Sequence, residues 1–557
     1  MGYSAHFVGL VRDGRVADLF GDASIANASP HEEGAIVEVE GERRTLLASP
    51  VSAESELYKL AAARLLDPVF PKAVEDQVQS LLEDPGIDDP TLVDRTGDPF
   101  VTIDGADSMD LDQAIYVEET DGGHVVHYAL ADASHYVRPG TPLHAEALRR
   151  GASYYLPGIM IPMLPRLLSE GLVSLNENVL RRSVVFSMTL DEEGRIQETK
   201  VEPTRIKSRG KLSFPAVQDF YSGGPGFGAA IERSLQCLAV VGRRRMLLAE
   251  ERGVVRYRRR EVSAKLGSGG VRFMATGTAR RDVERYNEQI SLLCNIEGAR
   301  MLAKHGADFV EPIYRVHPSP SPEKMQAFEE MLAALVSAQN LAPEQWLWSA
   351  SGERQLWEYL DALPVDGEEG RISSAIHRQA VMANLRSTFQ TEAAAHHGVG
   401  AEVYARFSSP MREMVGVFLH RELLEAEAGE GQQNSELRQQ VLDQANAAKT
   451  MQRDVSNEGN RLVIEQIFRD AESTEGALPG TLMGVQGAKA YVRLDQPPID
   501  IKVYLKLAPT RLRPSDNNAS LLKGGEAVFH LGDKVGVYVV SKDDDRDRWV
   551  LQLGAVA

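Results

Sequence analysis

The chain has 557 residues, 43% hydrophobic and 25% charged, so two to four folded domains are expected and wholesale disorder is excluded. Two isolated cysteines, Cys237 and Cys294, exclude a disulfide framework and a cysteine-based zinc site; no basic leader precedes an apolar run, and no apolar stretch reaches about 18 residues, which disfavours secretion and membrane spanning. The formal net charge of −19 opposes binding to a polyanion unless cations gather locally.

The first fifty residues alternate apolar and polar positions (HFVGLV, AIVEVEGERRTLLA) between Gly- and Asp-containing turns, which predicts a small β module over 1–54. It is short for a complete barrel. Residues 55–95 switch to helical spacing, with Leu57, Leu60 and Ala61 and then Val74, Val78 and Leu81, interrupted at Pro68 and Pro71. From 96 to 425, strand-like runs (FVTID, QAIYVEE, HVVHYALADA, VVFSMTL) precede helical patterns at 279–304, 321–338 and 376–396, the order of one large α+β domain. A helical connector over 426–475 carries a polar amphipathic helix at 434–472. Short β runs with Gly turns then predict a β-barrel over 476–557, with Tyr491, Tyr504 and Tyr538 among its aromatics.

Basic residues cluster at Lys207, Arg209 and Lys211, at Arg243, Arg244 and Arg245, and at Arg256, Arg258, Arg259 and Arg260 around Tyr257. Each run alone reads slightly better as a solvated helix face or as neutralising the acidic excess, and only their convergence would point to nucleic acid.

The segment FVTIDGADSMDLDQAIYV carries the most chemical information. A β-branched strand ends in Asp104, and Asp107, Asp110 and Asp112 follow before a second apolar run. Like charges about 4 Å apart repel by up to about 4 kcal/mol at an intermediate dielectric, so carboxylates held together beside apolar strands call for a cation. Hard oxygen donors without paired histidines favour Mg²⁺, with Mn²⁺ as substitute. A solvated Asp/Gly turn is the plain alternative, and the spacing fits no EF-hand loop.

TIDGADSMDLDQA, the following HYALADASHYVRPGTPLHAEALRRGASYYLPGIMIPMLPRLLSEGLVSLNENVLR, and the later YARFSSPMRE…HREL together resemble the catalytic domain of the ribonuclease II/ribonuclease R family, over about 96–425. The resemblance implies a multidomain α+β protein: a central ribonuclease II-like catalytic domain flanked by small oligonucleotide-binding β-barrels, the amino-terminal module among them. It implies a processive, Mg²⁺-dependent 3′→5′ exoribonuclease that hydrolyses single-stranded RNA to nucleoside 5′-monophosphates. The family's metal-binding aspartates fall on Asp104, Asp110 and Asp112, and its fourth acidic position falls on Gln113, whose amide brings no charge. Tyr155, in the YLP motif, is implied to lie against the RNA near the scissile phosphate. Arg412, in SSPMRE, is implied to contact that phosphate, with Asp110 and Asp112 beside it in catalysis.

Other implied RNA contacts are Glu288, Tyr257 and Phe214. Here the chain departs from the family pattern: Gln289 replaces a second acid, Phe214 stands where a tyrosine is common, and Glu413 and Met414 replace a basic residue and a tyrosine. Single-stranded RNA is the expected partner of a cytoplasmic monomer without membrane association. Two rivals stay open, a non-catalytic RNA-binding protein on the same fold and a Mg²⁺-dependent phosphatase or DNA nuclease.

Overall fold

The computed structural model describes residues 6–26, 31–258, 261–267, 272–278, 280–305, 310–431, 433–472 and 476–556. The amino-terminal module is a five-stranded antiparallel sheet: β1 (His6–Arg12), β2 (Arg15–Asp18), β3 (Ser24–Ala26), β4 (Ile36–Glu40) and β5 (Arg43–Ala48), in the order β3-β2-β1-β4-β5. Period-2 alternation puts Phe7, Val11, Val16, Val37 and Val39 into one small core. Two helices follow, α1 (Ala53–Ala63) and α2 (Lys72–Glu83), the first capped by the Ser52 hydroxyl.

The central sheet runs β6-β13-β12-β9-β8, from β6 (Val93–Asp94), β8 (Gln113–Thr120), β9 (Gly123–Ala131), β12 (Leu180–Leu190) and β13 (Ile196–Lys207), all antiparallel except β6 with β13. Both faces are covered, which is why its sequences read as nearly continuous apolar runs. On β9, Val126, Tyr128 and Leu130 face one core, whereas Ala129 and Ala131 face another. Around this sheet lie β7 (Thr102–Asp104), the one-turn α3 (Ala133–Tyr136), α4 (Pro142–Arg150), the hairpin β10 (Tyr154–Leu156) with β11 (Ile159–Ile161), and β14 (Lys211–Ser213), which pairs in parallel with β7. Helices α5 (Phe214–Tyr221) and α6 (Ala229–Glu251) follow, then the hairpin β15 (Glu261–Leu266) with β16 (Phe273–Thr278), and α7 (Asp282–His305).

Beyond α7 come β17 (Tyr314–Val316), α8 (Pro322–Ala338), the short α9 (Pro343–Trp346) and α10 (Leu356–Asp361), and α11 (Gly367–Ala383). The helical spacing predicted over 376–396 stops at Ala383. Asn384 turns extended, and Thr388–Gln390 forms β18 against β17. The cause is distant in sequence: the Asn446 side chain accepts from the Phe389 amide at 2.9 Å and donates to its carbonyl at 3.0 Å, while Phe389 is buried. Helix α12 (Met414–Glu427) leads to the 38-residue α13 (Ser435–Glu472).

The carboxy-terminal strands β19 (Leu478–Gln486), β20 (Lys489–Leu494), β21 (Asp500–Tyr504), β25 (Lys534–Asp543) and β26 (Arg548–Gly554) form a sheet in the order β21-β20-β19-β25-β26. Strand β21 also approaches β26, closing the sheet as in an oligonucleotide-binding barrel; β22 (Arg513–Pro514), β23 (Ser520–Lys523) and β24 (Glu526–His530) pair separately. This barrel shares one core with α8, α10 and α11, through residues such as Leu332, Leu360, Ile376, Leu482 and Val535. Both cysteines are free thiols, and among the described residues no helix is long and apolar enough to cross a membrane.

Candidate active site

The acidic turn begins where β7 ends. Asp104 folds its carboxylate back onto its own turn, accepting from the Gly105 amide at 2.7 Å and the Ser108 hydroxyl at 3.0 Å. Asp107 is exposed. The chain then dives into the sheet: the Leu111 amide donates to Ser174 Oγ at 3.0 Å, Leu111 enters the core, and Asp112, 1% exposed, anchors the start of β8 as its carbonyl accepts from Ala131 N at 2.8 Å.

Two other segments meet this turn. The loop before α12 brings the Met411 amide to Asp112 Oδ1 at 2.9 Å and the Arg412 guanidinium to Asp112 Oδ2. Its backbone is stitched to the segment preceding β10, through Ser153 N to Arg412 O and Met414 N to Gly151 O, both at 2.9 Å. Gly151 takes φ +70° at the end of α4, and a Cβ there would lie 2.8 Å from Gln444 of α13. The same stitching fixes β10, whose Tyr155 is 50% exposed and donates weakly to Asp110 Oδ2 at 3.5 Å. Asp110, Asp112, Tyr155 and Arg412 therefore come together from three separate stretches of chain.

Burial dominates the electrostatics. It pushes the Asp112 carboxyl up to about 6, with Arg412 opposing the shift and Asp110 reinforcing it. Asp110 is also raised by burial, against the pull of Arg412 and with the push of Asp104. Asp112 in turn raises Arg412, and burial raises the Tyr155 phenol. One guanidinium does not satisfy this group of acids. All three aspartates offer hard oxygen donors suited to Mg²⁺ or Mn²⁺, and a divalent cation would offset the burial that disfavours the charge of Asp110 and Asp112. They are not, however, drawn into a ready-made cage: among the described residues no group of three or more His, Cys, Asp or Glu side chains forms one.

Gln113 lies next to Asp112, but its amide oxygen accepts from the hydroxyl of Tyr128, a core residue of β9. Phe214 starts α5 directly after Ser213, the residue paired with Asp104, and packs partly into the main core. Glu288 is exposed on α7 and ion-paired with Arg280 at 3.0 Å. Tyr257 packs against the core shared with the carboxy-terminal barrel, its hydroxyl accepting from Asn384 at 2.8 Å. Among the described residues, neither Phe214 nor Glu288 hydrogen-bonds or ion-pairs with the Asp112–Arg412 pair.

Several basic residues serve the fold. Arg245 is buried and donates to Gly194 O at 3.1 Å, Arg256 pairs with Glu250, and Arg258 donates to Leu363 O at 2.8 Å. Arg259 and Arg260 lie outside the described residues. Of the barrel tyrosines, Tyr491 lies under Arg378 at 4.4 Å and Tyr504 under Arg548 at 4.5 Å, while Tyr538 donates to Ala555 O at 3.0 Å. Sequence reasoning did not single out Lys449, whose ammonium reaches Glu413 at 2.8 Å; its only signal is one cation in a polar helix.

Residues 93–428 match the RNB domain family. Ribonuclease R of Escherichia coli is 29% identical over 495 residues, an alignment covering 86% of this chain and 59% of that protein. The chain thus spans about three fifths of the length of that curated relative. In fold, it resembles the solved structure of Mycoplasma genitalium RNase R in complex with ribose methylated single-stranded RNA, with a TM-score of 0.80, 19% identity, and coverage of 99% of this chain and 90% of that one. It also resembles yeast Ssd1, a pseudonuclease, with a TM-score of 0.63, 12% identity, and coverage of 97% and 68%. The family match takes in more than half of the chain and contains the central sheet, the acidic turn and the Arg412 loop, so the chain belongs to the RNB domain family.

Proposed function

We propose that the protein is a processive 3′→5′ exoribonuclease that hydrolyses single-stranded RNA to nucleoside 5′-monophosphates with Mg²⁺, or Mn²⁺ in its place. The observation that carries this reading is the Asp112–Arg412 pair: a carboxylate held in the sheet at the cost of burial, joined to a guanidinium and flanked by Asp110 and a half-exposed Tyr155. Family membership supports it.

Asp104, Asp110 and Asp112 are the residues to hold the cation, which when bound supplies Lewis acidity at the phosphodiester. Asp112 fixes Arg412 through Nε, orienting its planar donors toward a phosphate oxygen, where they stabilise the charge that grows in the pentavalent transition state. Tyr155 offers an aromatic face to the terminal bases and registers the strand without demanding sequence, because every base has a π face. The β10–α12 stitching keeps Tyr155 and Arg412 in fixed relation, so base and phosphate are positioned together.

The second reading is a catalytically impaired RNA-binding protein on the same fold. It is favoured by Gln113, whose amide oxygen is occupied by Tyr128, and by the likeness to a pseudonuclease. One assay separates the two: purified protein with 5′-labelled unstructured RNA and Mg²⁺, Mn²⁺ or chelator. The nuclease shortens the RNA stepwise from its 3′ end and stops in chelator, whereas a binding relic shifts the RNA in a gel and leaves it intact under every condition.

A further inference from the structure

Beside the acidic turn lies a second buried charge cluster that the proposed reaction leaves unused. Glu413 follows Arg412 and is 7% exposed. It occupies the N-cap position of α12, but its side chain makes no cap. Instead it takes Lys449 Nζ of α13 at 2.8 Å and lies 3.5 Å from Arg406 Nε. Arg315 of β17 acts on the same carboxylate, while its Nη2 donates to Ser387 Oγ at 2.8 Å and its guanidinium stacks 4.6 Å over Phe389. Three cations thus surround one carboxylate, an excess of two positive charges, and Arg412 and Arg453 add further repulsion.

Unused hydrogen-bonding capacity sits in the same place. Arg315 Nη1, Arg406 Nε and Glu413 Oε2 are buried and make no hydrogen bond. Native interiors rarely leave donors such as Arg315 Nη1 and Arg406 Nε, or an acceptor such as Glu413 Oε2, without a hydrogen bond, and a net cationic cluster away from water is costly without an anion. The cluster is nonetheless reachable, because the Arg406 and Lys449 side chains keep 33% and 28% of their exposure.

We propose that Arg406 and Lys449, with Arg315 behind them, form a second phosphate subsite that holds an RNA backbone phosphate next to the one at Arg412, and that Glu413 is a positioning residue gathering these cations. The inference rests on the RNA reading above. Cationic character absent from position 413 is supplied from β17, the Arg406 loop and α13.

The test measures binding of a fluorescein-labelled, unstructured 12-mer RNA by anisotropy between 50 and 300 mM KCl, in an Asp112→Asn background that does not consume the probe. Each phosphate contact on a single strand contributes about 0.7 to the slope of log affinity against log salt. Lys449→Met should flatten the slope by about that amount and weaken binding about tenfold at the lowest salt. Glu413→Gln, which adds one net positive charge and keeps an acceptor for Lys449, should steepen the slope and tighten binding. These opposite signs are not expected of a cluster that only supports the fold. Arg406→Gln repeats the first test at a more exposed side chain should Lys449→Met fold poorly. Identical slopes in all variants overturn the subsite while leaving the nuclease reading intact, whereas an Asp112→Asn parent that binds no RNA overturns both.

Discussion

Two carboxylates, Asp112, which pairs with the Arg412 guanidinium, and Glu413, which follows Arg412 in the chain, are both buried, and burial raises both; yet Asp112 ends at about 6 and Glu413 at about 2. The difference is the number of cations. Asp112 has Arg412 and is repelled by Asp110, whereas Glu413 has Arg406, Lys449 and Arg315. Burial alone therefore does not set a carboxyl's charge state: the proposed cation ligand is the acid short of positive charge, and the acid with a surplus stays ionised among the cations it gathers.

The strongest way to break this contrast is to neutralise each acid in turn. Asp112→Asn should reduce RNA hydrolysis at least about a hundredfold while leaving RNA binding nearly unchanged, and should not lower the thermal midpoint at neutral pH, because the charge it removes is disfavoured by burial. A near wild-type rate would move the catalytic site away from the acidic turn. Glu413→Ala should do the reverse to stability, leaving buried cations uncompensated at a cost of about 3 kcal/mol or more, read by urea denaturation.

Titration sharpens the same contrast. A carboxyl raised from 3.8 to about 6 binds its proton more tightly in the folded state, so its effect in metal-free protein is a stability loss of about 3 kcal/mol as pH rises from about 4 to 6. Urea midpoints in chelator should show this fall, and Asp112→Asn should abolish it. Glu413 has the opposite sign: lowered from 4.5 to about 2, it stabilises fully above about 4.5 and loses that contribution as pH falls toward 2. At limiting Mg²⁺ cleavage should fall with acid, because a protonated Asp112 holds the cation poorly, and raising Mg²⁺ should shift that fall to lower pH.

Smaller effects belong to the neighbours. Tyr155→Ala should slow cleavage about tenfold or lengthen the limit product with little loss of thermal midpoint, as expected for a half-exposed stacking face; a large midpoint drop with unchanged kinetics would mark it as packing. Gln113→Asp should lower the Mg²⁺ concentration for half-maximal rate a few-fold, since it adds a charge beside Asp112 and still offers an acceptor to Tyr128. No activity from either protein at any Mg²⁺ or Mn²⁺ level would favour the RNA-binding reading.

The acidic turn was legible because it is local: four aspartates within nine residues between two apolar runs announce themselves in any reading of FVTIDGADSMDLDQAIYV. The strands were legible for a related reason, since a sheet buried on both faces writes continuous apolar runs such as HYALA and VVF. The charge cluster at Glu413 was not. It assembles Arg315, Arg406 and Lys449 from positions up to 134 apart, and a lysine in a polar helix carries no sign of what it will meet. The helical spacing over 376–396 carries no sign of the stop at Ala383 for the same reason, because Asn446 decides the conformation of Phe389 from α13.

Helix α13 also sets a condition on its own length. Over one uninterrupted run it bonds the RNB domain through Gln444, Lys449 and Gln452, seats Pro157 against Gly459, and then holds the barrel through Arg461 to Asp547 at 2.8 Å and Glu465 to Trp549 at 2.7 Å. Each residue advances a helix by about 1.5 Å and 100°. A single residue inserted between Gln452 and Arg461 would therefore swing the barrel contacts about a quarter-turn out of phase with those to the RNB domain, whereas an insertion of about seven would bring them back to within about 20° of the same azimuth but about 10 Å farther along.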